Sequence, residues 1–242
     1  FLNKLFFVPQ APCREVWHTD SDKPVEQIAE VVDKTKTLGI DKEWPAKFLI
    51  PLMELCPGMP VVLASDCVDA CRAVKDAEEQ MLMKEASRIN DETILKARDY
   101  VKPGMTERQV AAELVYNMLK NGSEGNSFDP IVVTGSKTSL PHGVPGDKVI
   151  QSGDFVTMDF GSIKHGYCSD MTRTVAVGSA SEEMRNVYDT VLRAQLAGIA
   201  AAKAGVPGKE IDAAARKVIS DAGYGKYFGH GFGHSLGLDI HE

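Results

Sequence analysis

A pattern that returns after 101 residues most constrains how this chain can fold. Lys102-Pro103-Gly104-Met105-Thr106 lines up with Lys203-Ala204-Gly205-Val206-Pro207, Val110 and Ala112 with Ile211 and Ala213, and Gly122 with Gly223. In each half a long helical stretch meets a Gly break, and a shorter helix follows. We read a duplicated helix–helix–strand unit; the competing reading is chance similarity between two amphipathic helix starts. Two similar halves would face each other, and a site between them would draw ligands from both.

Local signals place the remaining elements. Pro24 to Leu38 and Pro45 to Leu55 read as helices, and Val61-Val62-Leu63 as a short strand. Asp76 to Tyr100 is a long helical stretch ended by Lys102-Pro103-Gly104, and Thr106 caps a helix to about Asn121. Phe128 to Thr134, Phe155 to Phe160 and Tyr167 to Val177 read as strands. Helices then run from about Ser181 to Ala204 and on to Ala222-Gly223. The length suits one large domain or one and a half, and we divide it into residues 1–74 and 75–242.

Net charge is −7 and no Lys/Arg run exceeds two, which argues against a nucleic-acid partner. No apolar run reaches membrane-spanning length. The stretch Phe1 to Phe7 is too short for a signal peptide. Five cysteines without regular spacing do not form a disulfide framework, and Cys67-x3-Cys71 reads as ordinary packing. A cytoplasmic protein is expected. The first residue is Phe, so a truncated N-terminus is expected too.

The chemistry-bearing residues are acids and imidazoles. Asp159 and Asp170 flank a segment whose midpoint falls between Lys164 and His165. A hairpin centred there would set the two carboxylates directly opposite, with Cβ atoms roughly 5 Å apart. Bare carboxylates so placed repel, and a cation between them removes the penalty; the spacing suits acids bridging two metals. The competing reading is an Asp that caps a turn. Three histidines, His230, His234 and His241, fall within 12 residues. On an extended segment His230 and His234 share a face, whereas His241 needs a bend that Gly237 could supply. Oxygen-rich ligation with an imidazole suits Mn, Co, Fe or Zn. His18 and His165 read as surface residues. Gly233-His234-Ser235-Leu236-Gly237 also matches a serine-hydrolase nucleophile elbow, but only Asp239 and His241 follow it, too close for a triad.

Taken together these motifs resemble the creatinase, aminopeptidase P, prolidase and methionine aminopeptidase group of metallopeptidases, from about Lys75 to Glu242. Pro141-His142-Gly143, Met158-Asp159-Phe160-Gly161, Ser169-Asp170-Met171-Thr172-Arg173-Thr174 and His230 to Glu242 stand in that group's order. The resemblance implies an α+β pita-bread catalytic domain with pseudo-twofold duplicated halves. Residues 1–74 resemble part of a creatinase-type N-terminal α/β domain. Asp159 would bind one metal of two, Asp170 would bridge both, and His234 would ligate the second. His142, His230 and His241 would line the site, orient substrate and stabilise the tetrahedral intermediate. The implied cofactors are two divalent ions, Mn first, with Co, Zn or Fe as alternatives. The group's last two ligands are glutamates absent here, and Glu242 matches a non-ligand glutamate. The catalytic domain is therefore expected to lack its C-terminal strands, and this polypeptide to bind metal weakly or singly with little activity. Two tight metal sites in a titration would oppose that.

The implied activity is hydrolysis of the Xaa-Pro bond at a peptide N-terminus, in the manner of aminopeptidase P, on peptides with proline in second position. The alternatives are an Xaa-Pro dipeptidase and, from another class, a non-catalytic peptide- or protein-binding module on the same fold. An unpaired sheet edge would favour a homo-oligomer.

Overall fold

The computed structural model describes residue 16 and residues 18–242. The N-terminal apolar stretch and Cys13 lie outside the described residues. The chain divides into two compact units, the first ending at Cys71 and the second spanning Arg72–Glu242.

The first unit contains α1 (Pro24–Val31), β1 (Leu38–Ile40), α2 (Ala46–Leu55), β2 (Val61–Leu63) and most of α3 (Ser65–Arg72). Strands β1 and β2 are parallel, Leu38 opposite Val61, around a small core of Ala29, Leu52, Cys56 and Met59. The helix expected to reach Leu38 stops at Val31. Asp33 accepts hydrogen bonds from the Thr35 amide and hydroxyl, a local turn that competes with helix. Helix α3 was not foreseen. Cys67 and Cys71, read from sequence as packed, are exposed on it, because only Ser65 of α3 is buried.

In the second unit, α4 (Ala77–Tyr100) and α5 (Glu107–Lys120) start at the expected residues. Asp76 and Thr106 each form a capping box, with Glu79 and Gln109. The two helices cover a three-stranded antiparallel sheet in the order β3 (Ile131–Thr134), β4 (Phe155–Phe160), β7 (Met171–Ala176). Leu114, Met118, Val132, Val156, Met158 and Phe160 form its fully buried core. Strand β4 alternates buried and half-buried positions along its length, the signature of a strand with one covered face. A minor antiparallel hairpin, β5 (Ile163–Lys164) and β6 (Tyr167–Cys168), forms a ladder of its own.

Helices α6 (Glu182–Ala201) and α7 (Gly208–Asp221) follow. Glu107 and Lys120 bound α5, and Gly208 and Asp221 bound α7, each displaced by 101 residues. The ends of α4 and α6, Tyr100 and Ala201, keep the same offset. The breaker glycines also match in conformation: φ is 91° at Gly104 and 83° at Gly205, 96° at Gly122 and 86° at Gly223. Left-handed backbone of this kind is open to glycine at little cost, so the repeat is written at its helix ends. Among the described residues no helix is long and apolar enough to cross a membrane.

Candidate active site

The two aspartates leave the sheet at one corner. In the β4–β7 ladder Asp159 pairs with Thr172 and Phe160 with Met171, so Asp159 does not face Asp170 as the sequence reading had it. The hairpin tip lies one residue later than expected, at His165-Gly166. Both have positive φ, 49° and 81°, which matches the two-residue turn favoured between twisted strands. Asp170 is therefore the diagonal neighbour of Asp159 on the same face. The Thr172 hydroxyl donates to Asp159 Oδ1 at 2.8 Å.

Tight packing and a buried polar network fix the corner. A Cβ on Gly161 would fall 1.9 Å from the Ser169 carbonyl oxygen, so only glycine lets the two segments approach. Asn90 of α4 donates to Ser169 Oγ at 2.9 Å and accepts from Ser162 Oγ at 2.7 Å. Ser169 Oγ in turn accepts from the Ser162 amide at 3.0 Å. Asn90, Ser162 and Ser169 are all buried, so the network is satisfied without water and holds the residue before Asp170 in place.

Burial raises the pKa of both aspartates. For Asp159 the Thr172 hydrogen bond opposes this and the Asp170 charge adds to it. For Asp170 the neighbouring imidazoles of His234 and His241 oppose it. The two carboxyls also share a hydrogen bond that favours the proton on Asp159. Such a pair resists carrying two negative charges, and a cation removes that resistance.

His234 stands 3.4 Å from Asp170, Nε2 to Oδ2. Its Nδ1 is 2.9 Å from the Ser235 carbonyl, which can only accept, so Nδ1 donates there and Nε2 is the nitrogen turned to Asp170. His230 makes the same contact with Gly231 at 3.1 Å. The ring of His241 lies 4.3 Å from that of His234, and the ring of His142 lies 5.5 Å from that of His230. The six residues singled out from sequence thus fall into two groups: Asp159, Asp170, His234 and His241, and the pair His142 and His230. The donor set, two partly buried acids and an imidazole whose Nε2 faces one of them, fits a divalent cation in kind. Among the described residues no group of three or more His, Cys, Asp or Glu side chains is arranged to hold a metal ion, so the set is open.

Several supporting contacts were invisible in the sequence. The Glu242 side chain is 7% exposed and ion-paired to Arg72 and Lys75. It also accepts from the Leu238 and Asp239 amides at 2.8 and 3.2 Å. Burial works to raise its pKa, but Lys75 and Arg72 override this and hold it at about 2. A Cβ on Gly237 would fall 2.4 Å from Glu242 Oε2, so this glycine admits the carboxylate that closes the bend before His241. Glu107, fully buried, pairs with Lys137 and accepts from the Thr134 and Gly146 amides at 2.9 and 3.0 Å. Those contacts brace both ends of the loop that carries His142.

Known proteins resemble the chain in sequence and fold. The chain is 39% identical over 220 residues to an Xaa-Pro dipeptidase of Pyrococcus furiosus, covering 91% of this chain and 63% of that protein. An Xaa-Pro dipeptidase structure from Bacillus anthracis superposes with TM-score 0.86 at 39% identity, covering 92% of this chain and 63% of that one. An X-Pro aminopeptidase structure from Thermotoga maritima superposes with TM-score 0.82 at 36% identity, covering 94% and 66%. The chain spans less than two thirds of the dipeptidases it matches. These likenesses bear out the expected α+β pita-bread architecture, and the sequence model of metallopeptidase family M24 matches residues 81–242. The chain belongs to metallopeptidase family M24.

Proposed function

We propose that the full-length protein is a metal-dependent exopeptidase that hydrolyses the Xaa-Pro bond at the N-terminus of peptides, as aminopeptidase P does. The observation that carries this reading is the corner where two half-buried, mutually repelling aspartates meet the Nε2 face of His234. The names of the Pyrococcus and Bacillus relatives favour a second reading, an Xaa-Pro dipeptidase. We further read residues 1–74 as part of a creatinase-type N-terminal domain, and residues 75–242 as the metallopeptidase domain.

In this reading Asp159, Asp170 and His234 would hold two divalent ions, manganese first and cobalt, zinc or iron as alternatives. When bound, those ions supply an activated water and polarise the scissile carbonyl. The chain's own groups do the rest. Thr172 holds Asp159 by its hydroxyl, so that one carboxylate oxygen stays turned to the site. The Ser235 carbonyl engages Nδ1 of His234, which leaves Nε2 turned towards Asp170. His142, His230 and His241 orient the peptide and donate to the oxygen on which negative charge develops. The amine of a proline ring leaves only after protonation, so an acid on this face must deliver a proton to the departing nitrogen. A binding module on the same fold would have no use for the metal donors, and all three donors available for comparison are present.

Asp159→Asn tests the reading in the full-length protein. Hydrolysis of Xaa-Pro peptides is expected to be abolished while the fold persists. Unchanged turnover would remove Asp159 from the mechanism and favour the binding module.

A further inference from the structure

His230 and His234 lie on a segment that has no ladder of its own. Residues 228–234 form neither helix nor strand. Gly229, Gly231 and Gly233 have nothing within 4 Å of where a Cβ would stand, so no local crowding holds them. A chain this glycine-rich is mobile unless something else satisfies its backbone.

We propose that Asp212 and Arg216, one turn apart on α7, are the positioning pair that fixes this segment and with it His230 and His234; the catalytic purpose of the pair rests on the peptidase reading above. Arg216 Nε and Nη2 donate to Asp212 at 2.8 and 3.1 Å. The rest of the guanidinium turns outward from the helix: Nη1 donates to the Phe228 carbonyl and Nη2 to the His230 carbonyl, both at 2.9 Å. Asp212 Oδ1 accepts from the Phe232 amide at 2.9 Å. Three alternate residues, Phe228, His230 and Phe232, are thus met by two donors and one acceptor, as a neighbouring strand would meet them. The guanidinium also lies over the Phe228 ring, 4.5 Å from its centroid. Phe232 is pressed against Gly198 of α6, where a Cβ would fall 2.2 Å from the ring. The histidine rings extend from one of these anchors, His230, and from His234, two residues beyond Phe232.

An Asp–Arg pair at this spacing is most often a solvated surface pair that contributes little. Donor use decides against that here. Four of the five N–H groups of Arg216 are engaged, and two of them reach the backbone on either side of Gly229. Lysine cannot reproduce a planar fork that holds a carboxylate on one edge and two carbonyls on the other.

The test compares the full-length protein with its Arg216→Lys variant, which keeps charge and helix propensity but not the fork. Amide exchange across residues 228–234 is expected to rise about 10²-fold, with α4 and β4 unchanged. The 15N signals of the His230 and His234 rings are expected to shift and broaden. On an Xaa-Pro peptide kcat is expected to fall about 10²-fold, with KM within about threefold. Unchanged exchange and unchanged ring spectra would overturn the proposal. Should Arg216→Lys fail to fold, the unaltered protein still decides: slow, separately resolved Arg216 Nη signals support the clamp, and one averaged guanidinium signal overturns it. Exchange and spectra need no turnover, so a protein inactive on every Xaa-Pro peptide would refute the peptidase reading separately.

Discussion

Replacing Gly198 by alanine sets two known magnitudes against each other at one position. Gly198 lies inside α6 and is buried. A helical Gly→Ala change ordinarily stabilises by about 1 kcal/mol. Here the new methyl would stand 2.2, 2.5 and 2.7 Å from three atoms of the Phe232 ring. To reach a normal carbon–carbon separation near 3.5 Å the ring must retreat by about 1.3 Å. It is packed with Ala194, Ala215, Ile219 and Phe228, so the displacement is shared with neighbours, and overpacking of this kind costs about 1–3 kcal/mol. The net expectation in a urea melt is a loss of about 0–2 kcal/mol rather than the gain that propensity alone gives. Gly208→Ala is the control, because open space surrounds its Cβ position; it is expected to stabilise by up to about 1 kcal/mol. In a Phe232→Leu background the Gly198→Ala change is expected to recover its propensity gain. Since Phe232 sits between His230 and His234, turnover in the full-length protein is expected to fall about 10²-fold. A full 1 kcal/mol gain from Gly198→Ala alone, with turnover intact, would show that Phe232 is not seated against α6 and would refute the reasoning.

Gly161→Ala drives a methyl to 1.9 Å from the Ser169 carbonyl and is expected to cost at least about 3 kcal/mol in a denaturant melt, with Asp159 and Asp170 displaced together. Glu242, held at about pKa 2 against a normal 4.5, contributes about 3 kcal/mol that is present above about pH 4.5 and is lost as pH falls towards 2; Glu242→Gln removes that part of the acid slope, which pH-dependent urea melts would detect. Glu107→Gln leaves Lys137 facing a neutral amide at a fully buried site. It is expected to cost about 3 kcal/mol and to broaden the His142 ring signals in NMR spectra before those of His234.

Helix starts were legible because their signals are local. Asp76 with Glu79, Thr106 with Gln109, and Ser181 bonding the Met184 amide all act within one turn, and all three helices begin at the expected place. The offset of 101 was legible because glycines at helix ends carry backbone information by themselves. Where the outcome depended on a partner distant in sequence, the reading slipped. The Asp159 register was displaced because the hairpin was centred on Lys164-His165, whereas the turn needs positive φ at both central residues and so settled on His165-Gly166. The Tyr167–Val177 strand is broken at Ser169-Asp170, where Ser169 turns to bond Asn90 from α4. Nothing in the sequence around Asp212 and Arg216 tells them from an ordinary i, i+4 surface pair, since the backbone they hold begins 12 residues after Arg216. Glu242 was read only as a non-ligand, because its partners Arg72 and Lys75 lie 170 and 167 residues away. The sequence thus named candidate residues that the fold brings close together, Asp170 and His234 among them, but not the groups that fix their positions.

The most direct test of the central claim is mass-spectrometric product analysis of the full-length protein with Mn on Xaa-Pro, Xaa-Pro-Yaa and Met-Ala peptides. The account predicts metal-dependent cleavage on the N-terminal side of proline, abolished by a chelator; product from the tripeptide marks an aminopeptidase, and product from the dipeptide alone marks a dipeptidase. No cleavage of any proline peptide with metal present, or equal cleavage after chelation, would contradict it.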